Sequence, residues 1–161
     1  MARRGPLRLL ILVAGALWLP ACGGPDTGPA EVHWDRDTCE RCMMVLSDRK
    51  HSAQIRGGPE GGRTKVYMFD DIGCAVLWLE EQPWKGDPKT EIWVNDHRDG
   101  HWIDARKAHY VTGQETPMDY GLGAQDEPAA GALSYQEAKA HIRKVEKRFS
   151  EHGVDIEHGA H

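Results

Sequence analysis

The feature that most constrains this chain is its beginning. Met-Ala-Arg-Arg-Gly-Pro-Leu-Arg is followed by the apolar run Leu9 to Leu19 and then by Pro20-Ala21-Cys22. A basic head, a short apolar run and small residues after it form a secretory leader, and such a run is too short to span a hydrocarbon core as a permanent helix. The leader therefore takes no part in the fold. It also sends the remaining chain, with its thiols, into an oxidising compartment.

Leu19-Pro20-Ala21-Cys22 resembles the bacterial lipobox, in which cleavage occurs before a lipidated Cys. Residues 1–21 are then the leader, and the mature chain of 140 residues begins at Cys22, hung from a membrane by acyl chains. No Asp follows Cys22, which favours the outer membrane of a Gram-negative cell. Residues 22–30, with Gly23, Gly24, Pro25 and Gly28, form a flexible tether. Losing Arg3, Arg4 and Arg8 with the leader takes the net charge from −5 to −8. An acidic chain without a Lys/Arg-rich block lacks the electrostatic footprint of a nucleic-acid-binding protein.

From Glu31 to about residue 150 the sequence reads as one domain. His51–Arg56 and Lys65–Phe69 flank the turn cluster Gly57-Gly-Pro-Glu-Gly-Gly62 and form a hairpin. Asp70 and Asp71 start a helix through about Glu81, with Ile72, Ala75, Val76 and Leu79 on its apolar face, and Pro83 ends it. Glu91–Asn95 is a strand, and the turn at Asp99-Gly100 pairs it with Trp102-Ile103. His109–Thr112 adds a strand. Gly113 to Pro128 shows no periodicity and reads as a long functional loop. Ser134 and Glu137 form a capping box for a last helix through about Phe149, with Ala138, Ile142, Val145 and Phe149 on one face. Residues 151–161 read as a mobile His-containing tail. The order predicts an α+β fold of two similar ββαβ-like halves packed as one unit.

With Cys22 lipidated, Cys39, Cys42 and Cys74 remain, so at least one thiol stays free of any disulfide within the chain. Cys39-Glu-Arg-Cys42 has three ordinary meanings. A redox dithiol should open a helix in a βαβ setting, and none follows here. A closed zinc site needs a second ligand pair at matching spacing, and the sequence offers no second CxxC. Met44 sets this motif apart: in an extended segment Cys42 and Met44 share a face. Thiolate with thioether is a soft donor pair that selects Cu(I). Met118, between Pro117 and a Gly-rich stretch in the long loop, is placed to give a further thioether. Cys74, inside the apolar helix, reads as a core thiol, and Asp70 and Asp71 as helix-starting residues. His51 or His109 could add an imidazole; His97 and His101 flank a turn as solvated residues; His152, His158 and His161 are tail residues. No nucleophile–base arrangement, phosphate loop or dinucleotide fingerprint is present, so the chain is not read as an enzyme.

Taken together, Cys22, Cys39-x-x-Cys42-x-Met44, Tyr67-x-Phe69-Asp70-Asp71, Trp102-Ile-Asp104-Ala105 and Thr116-Pro-Met118 resemble the NosL family, accessory lipoproteins of nitrous oxide reductase. The likeness runs from about Cys39 to Gln136. It implies a periplasmic, membrane-anchored Cu(I) chaperone for denitrification that supplies the copper-sulfide centre of nitrous oxide reductase. It implies an ABC-type transporter of the same assembly system as partner, and leaves room for a homodimer. Carried onto this chain, the ligands are Cys42, Met44 and Met118, with Cys39 as a fourth or exchange ligand. Met43 and Asp119 stand where the family commonly has Gly. The alternative is a periplasmic thiol-disulfide oxidoreductase using Cys39 and Cys42.

Overall fold

The computed structural model describes residues 27–157, with side chains to Glu151; the leader, Cys22 and the end of the tail lie outside the described residues. Strands β1 (Ala53–Gly57) and β2 (Lys65–Phe69) form the expected hairpin. Helix α1 (Ile72–Glu80) follows, then β3 (Glu91–Asn95), β4 (Trp102–Asp104), β5 (His109–Thr112), β6 (Leu122–Gln125) and α2 (Tyr135–Glu157). The fold is α+β, with an antiparallel sheet in the order β2-β1-β3-β4 and a second antiparallel pair, β5-β6.

The first half is ββαβ. The second repeats ββα, and Leu133, just before its helix, bridges Tyr110 on the free edge of β5. The halves join where Asp96, following β3, bridges Ala124 in β6, and His97 N–H donates to the Ala124 carbonyl at 2.8 Å. Helix α1 packs on β1 and β2, and α2 packs on α1 and β5.

Every residue of β1 is buried, which explains its weak alternation. One face lies under α1. Across the other runs the segment after Thr27, whose Ala30 exchanges hydrogen bonds with the Gln54 side chain at 2.8 and 3.0 Å. At the far end of the strand Arg56 Nε donates to the Gly28 carbonyl at 2.9 Å, and Glu91 accepts from Thr27 Oγ1 and Gly28 N–H at 2.5 and 2.7 Å.

The apolar face read for α1 is buried throughout. On α2, Ala138, Ile142 and Val145 are buried while Phe149 is half exposed, its ring 6.2 Å from that of Tyr120. The Ser134–Glu137 capping box is formed, with the Ser134 hydroxyl donating to Glu137 Oε2 at 2.6 Å. Two boundaries differ from the sequence reading. The stretch read as a loop from Gly113 contains β6, whose four buried residues leave no alternation to find. Helix α2 runs to Glu157, and no Pro follows Pro128 to interrupt it. It thereby takes in part of the stretch read as a mobile tail. Among the described residues no helix is long and apolar enough to cross a membrane.

Candidate metal centre

The CxxC segment is a single tight turn hung on the end of β2. The Cys39 carbonyl accepts from Met43 N–H at 3.0 Å, Cys39 N–H donates to the Met44 carbonyl at 2.8 Å, and Glu40 N–H donates to the Met68 carbonyl at 2.9 Å. Met43 has φ 64°, the left-handed conformation that closes one helical turn and normally selects Gly. The extended geometry expected for Cys42 and Met44 is therefore absent. Their relative placement is set by the turn at Met43, since the Cys39 carbonyl closes on its N–H.

The other side of the centre comes from α1. Asp71 is the N-cap: its Oδ1 accepts from Gly73 N–H at 2.8 Å. Asp70 is free for another task. Its Oδ2 accepts from the Cys42 thiol at 3.2 Å, and its Oδ1 is buried with no hydrogen-bond partner. Cys74, within α1, brings its sulfur beside that of Cys39. The three sulfurs and one Asp70 oxygen all lie within 4.8 Å of one another. Cys39 and Cys74 are fully buried, Cys42 is half-buried, and all three thiols are free. Cys74 is a core thiol, as read, and also stands within this cluster, while the capping role read for Asp70 falls to Asp71.

The Cys74 hydrogen bond lowers the Cys39 pKa, and the same bond raises that of Cys74. Burial raises the pKa of Cys42. Burial also lifts the Asp71 carboxyl to about 6. Disulfide exchange needs an ionised thiol that a partner can reach. Of the two motif thiols, Cys39 is sealed and Cys42 is the one open to solvent.

The two methionines read as ligands differ in exposure. Met44 is 45% exposed at the end of the turn, and Met43 is 70% exposed. Met118 is half-buried against the core, and its N–H meets Asp71 Oδ2 at 3.4 Å. The loop between β5 and β6 therefore rests on the N-cap of α1, beside the residue that holds Cys42. Asp119 there has φ 54°, the same left-handed region as Met43. Met43 and Asp119 thus both carry the backbone that Gly tolerates best.

A polar latch holds the pieces together. Arg41, between the two cysteines, donates to Tyr120 Oη at 3.2 Å and to Glu146 Oε1 on α2 at 2.5 Å, while Tyr120 Oη donates to Glu146 Oε2 at 2.6 Å. The buried Tyr120 ring lies against Gly73; a Cβ there would come within 2.1 Å of a ring carbon.

Among the described residues no histidine joins the thiol cluster. His51 Nδ1 pairs with Asp48 at 2.7 Å and His97 Nε2 with Gln125 at 3.2 Å. His101 meets Asp99 at 2.6 Å and belongs with Asp96 and Asp126 to a second cluster. Arg98 fills that one, with contacts to Asp96 at 2.7 and 2.9 Å and to Asp126 at 2.5 Å. The side chains of His152, His158 and His161 lie outside the described residues.

Comparison with known proteins places this geometry in context. The sequence model of the NosL family matches residues 29–144. No curated protein matches. A solved structure, that of the copper chaperone NosL from Shewanella denitrificans, is 21% identical with a TM-score of 0.40, over 75% of this chain and 89% of that one.

Proposed function

Since this chain belongs to the NosL family, we propose that it carries Cu(I) as cargo. The observation that supports this most directly is the setting of Cys42. It is the half-buried thiol of the cluster, with buried thiols behind it and the exposed thioether of Met44 two residues on. Soft sulfur donors of both kinds at a protein surface suit Cu(I) far better than harder cations. Cys42 and Met44 hold the ion, Met118 completes a three-sulfur set, and Cys39 serves as the exchange ligand behind them.

The chemistry is ligand replacement. Copper stays in the +1 state, Cys42 releases its proton as the metal–sulfur bond forms, and an incoming sulfur from donor or acceptor takes the place of one thioether. Thioethers suit this exchange because they are neutral and bind without losing a proton. Apart from the Cys42 S–H, no covalent bond of the protein is broken, and the chain acts as a carrier, not an enzyme.

The family reading extends this proposal to the cell. Cys22 bears the lipid, the domain works in the periplasm at a membrane, preferably the outer one, the final acceptor is nitrous oxide reductase, and an ABC-type transporter of the same assembly system is a partner.

The test is an anaerobic Cu(I) titration of residues 23–161 against a chromophoric chelator, comparing the parent with Cys42→Ser, Met44→Leu and Met118→Leu. Tight binding should collapse with Cys42→Ser and weaken with either Met variant. Equal affinity in all four proteins would overturn the proposal.

A further inference from the structure

The two stretches that carry the proposed copper donors come from distant parts of the chain, and both are seated on the start of α1. The Cys42 thiol donates to Asp70 Oδ2 at 3.2 Å, and Met118 N–H meets Asp71 Oδ2 at 3.4 Å. Their second point of attachment is shared. Arg41 is the residue before Cys42, and Tyr120 is the second after Met118. Arg41 Nη1 donates to Tyr120 Oη at 3.2 Å, and among the described residues this is the one hydrogen bond that runs from the thiol turn to the β5–β6 loop.

Glu146 on α2 closes that link into a triangle. Its Oε1 accepts from Arg41 Nη2 at 2.5 Å and its Oε2 from Tyr120 Oη at 2.6 Å, so each of the three side chains is held by the other two. The planar guanidinium fork fixes an angle as well as a distance, which a lysine ammonium does not. Tyr120 is itself immobile: its ring is 1% exposed and lies against Gly73, and its carbonyl meets His141 Nε2 at 2.9 Å. Once a metal takes Cys42 Sγ, the S–H bond to Asp70 is gone. The Glu40–Met68 backbone bond and Arg41 then steady the turn.

We propose that Glu146, acting through Arg41 and Tyr120, is the positioning residue of the copper site. It sets the separation of the Cys42–Met44 turn from the Met118 loop, and with it whether sulfurs from both can hold one ion. This rests on the Cu(I) reading given above. Donors already placed bind more tightly than donors that must be ordered by the ion, since the ordering costs entropy at the moment of binding. With the triangle open, copper stays on the sulfurs of the turn and loses its hold on the loop. Glu146 is no ligand, and its effect on the ion passes through the other two side chains.

The experiment is an anaerobic Cu(I) titration of the full-length chain in detergent against a chromophoric chelator. It compares the parent with Cys42→Ser, Glu146→Gln, Tyr120→Phe and Met118→Leu, and repeats the Glu146 and Tyr120 variants in the Met118→Leu background. Tyr120→Phe removes one hydroxyl and keeps the ring on Gly73, so it opens the triangle and leaves the packing in place. Each of these two variants should weaken Cu(I) by about 10-fold or more, since loss of an outer partner at a metal site costs about 10–100-fold. In the Met118→Leu background neither should weaken it further, because the loop then has no sulfur to bring. A role in folding alone would lower the urea midpoint and leave Cu(I) affinity unchanged, and that result would overturn the proposal. So would an equal loss in both backgrounds, or a Met118→Leu variant that binds as the parent does. Each of these results leaves the copper reading standing if Cys42→Ser abolishes binding. A parent that takes up no Cu(I), or a Cys42→Ser variant that binds it as tightly, would overturn both.

Discussion

Arg41 reaches across the molecule to Glu146 at 2.5 Å, tying the turn between the two motif cysteines to the last helix. Both side chains are largely screened from solvent, and Glu146 also receives the Tyr120 hydroxyl. Glu146→Gln keeps the size and removes the charge. The expected loss is about 1–2 kcal/mol, the range for charge-assisted hydrogen bonds that are partly open to water. Urea unfolding of parent and variant checks this, and an unchanged midpoint would mean that the latch contributes nothing.

Gly73 is in a helix, where Ala is ordinarily about 1 kcal/mol better. Here the Tyr120 ring occupies the space a Cβ would need, and the ring is 1% exposed and cannot swing away. Overpacking of this kind costs about 1–3 kcal/mol, occasionally more, so Gly73→Ala should lower stability by roughly 2 kcal/mol. A rise in melting temperature would show that the ring yields easily.

Met43 is the opposite case. It is 70% exposed, so little packing is lost on its removal, and it holds a left-handed backbone that costs a side-chain-bearing residue about 1–2 kcal/mol. Part of the gain from Met43→Gly is returned as unfolded-state entropy, leaving a net stabilisation of about 0.5–1 kcal/mol. The check is a higher urea midpoint at constant slope; a lower midpoint would mean that the Met43 side chain makes contacts worth more than its strain.

Asp96 is fully buried and accepts from the Arg98 side chain at 2.7 and 2.9 Å, from Arg98 N–H at 2.9 Å and from Asp126 N–H at 3.2 Å. The Arg98 hydrogen bonds hold its carboxyl well below the ordinary 3.8. A carboxylate whose folded pKa is depressed stabilises the fold above its unfolded value, and that contribution is lost as pH falls through the folded value. Stability should therefore drop as pH is lowered below about 4, and Asp96→Asn should flatten that limb. At neutral pH the variant should cost about 1–2 kcal/mol, discounted because Arg98 is open to solvent. Midpoints measured from pH 2 to 7 give both quantities; parallel profiles would exclude Asp96 as the titrating group.

Much of the fold was legible because its signals are local. The Gly-rich turn after β1, the cap at Asp71, the stop at Pro83 and the Ser134–Glu137 box each act within a few residues. Strand β6 was not, since Leu-Gly-Ala-Gln has neither alternation nor a β-branched residue, and it becomes a strand through its pairing with β5 and the bridge from Ala124 to Asp96. The site divides the same way. Cys39 and Cys42 are recognisable as a pair by spacing. Cys74 looks like any buried thiol until the β1–β2 hairpin brings the start of α1 against the turn, and Asp70 looks like a cap until Asp71 is seen to do that work. The turn at Met43 was hidden too, because its φ opposes the preference of its own residue type.

The pairing of Thr27 and Gly28 with Glu91, and of Gly28 with Arg56, also fixes where the chain enters the domain. Arg56 is three residues along β1 from Ala53, which sits opposite Phe69 at the end where the thiol turn hangs. The chain therefore enters the domain at one end of the central strand and offers its sulfurs at the other. Whatever holds the segment ahead of Thr27 therefore sits at the opposite end of the central strand from the thiols, and a visitor can reach the sulfur end without meeting it.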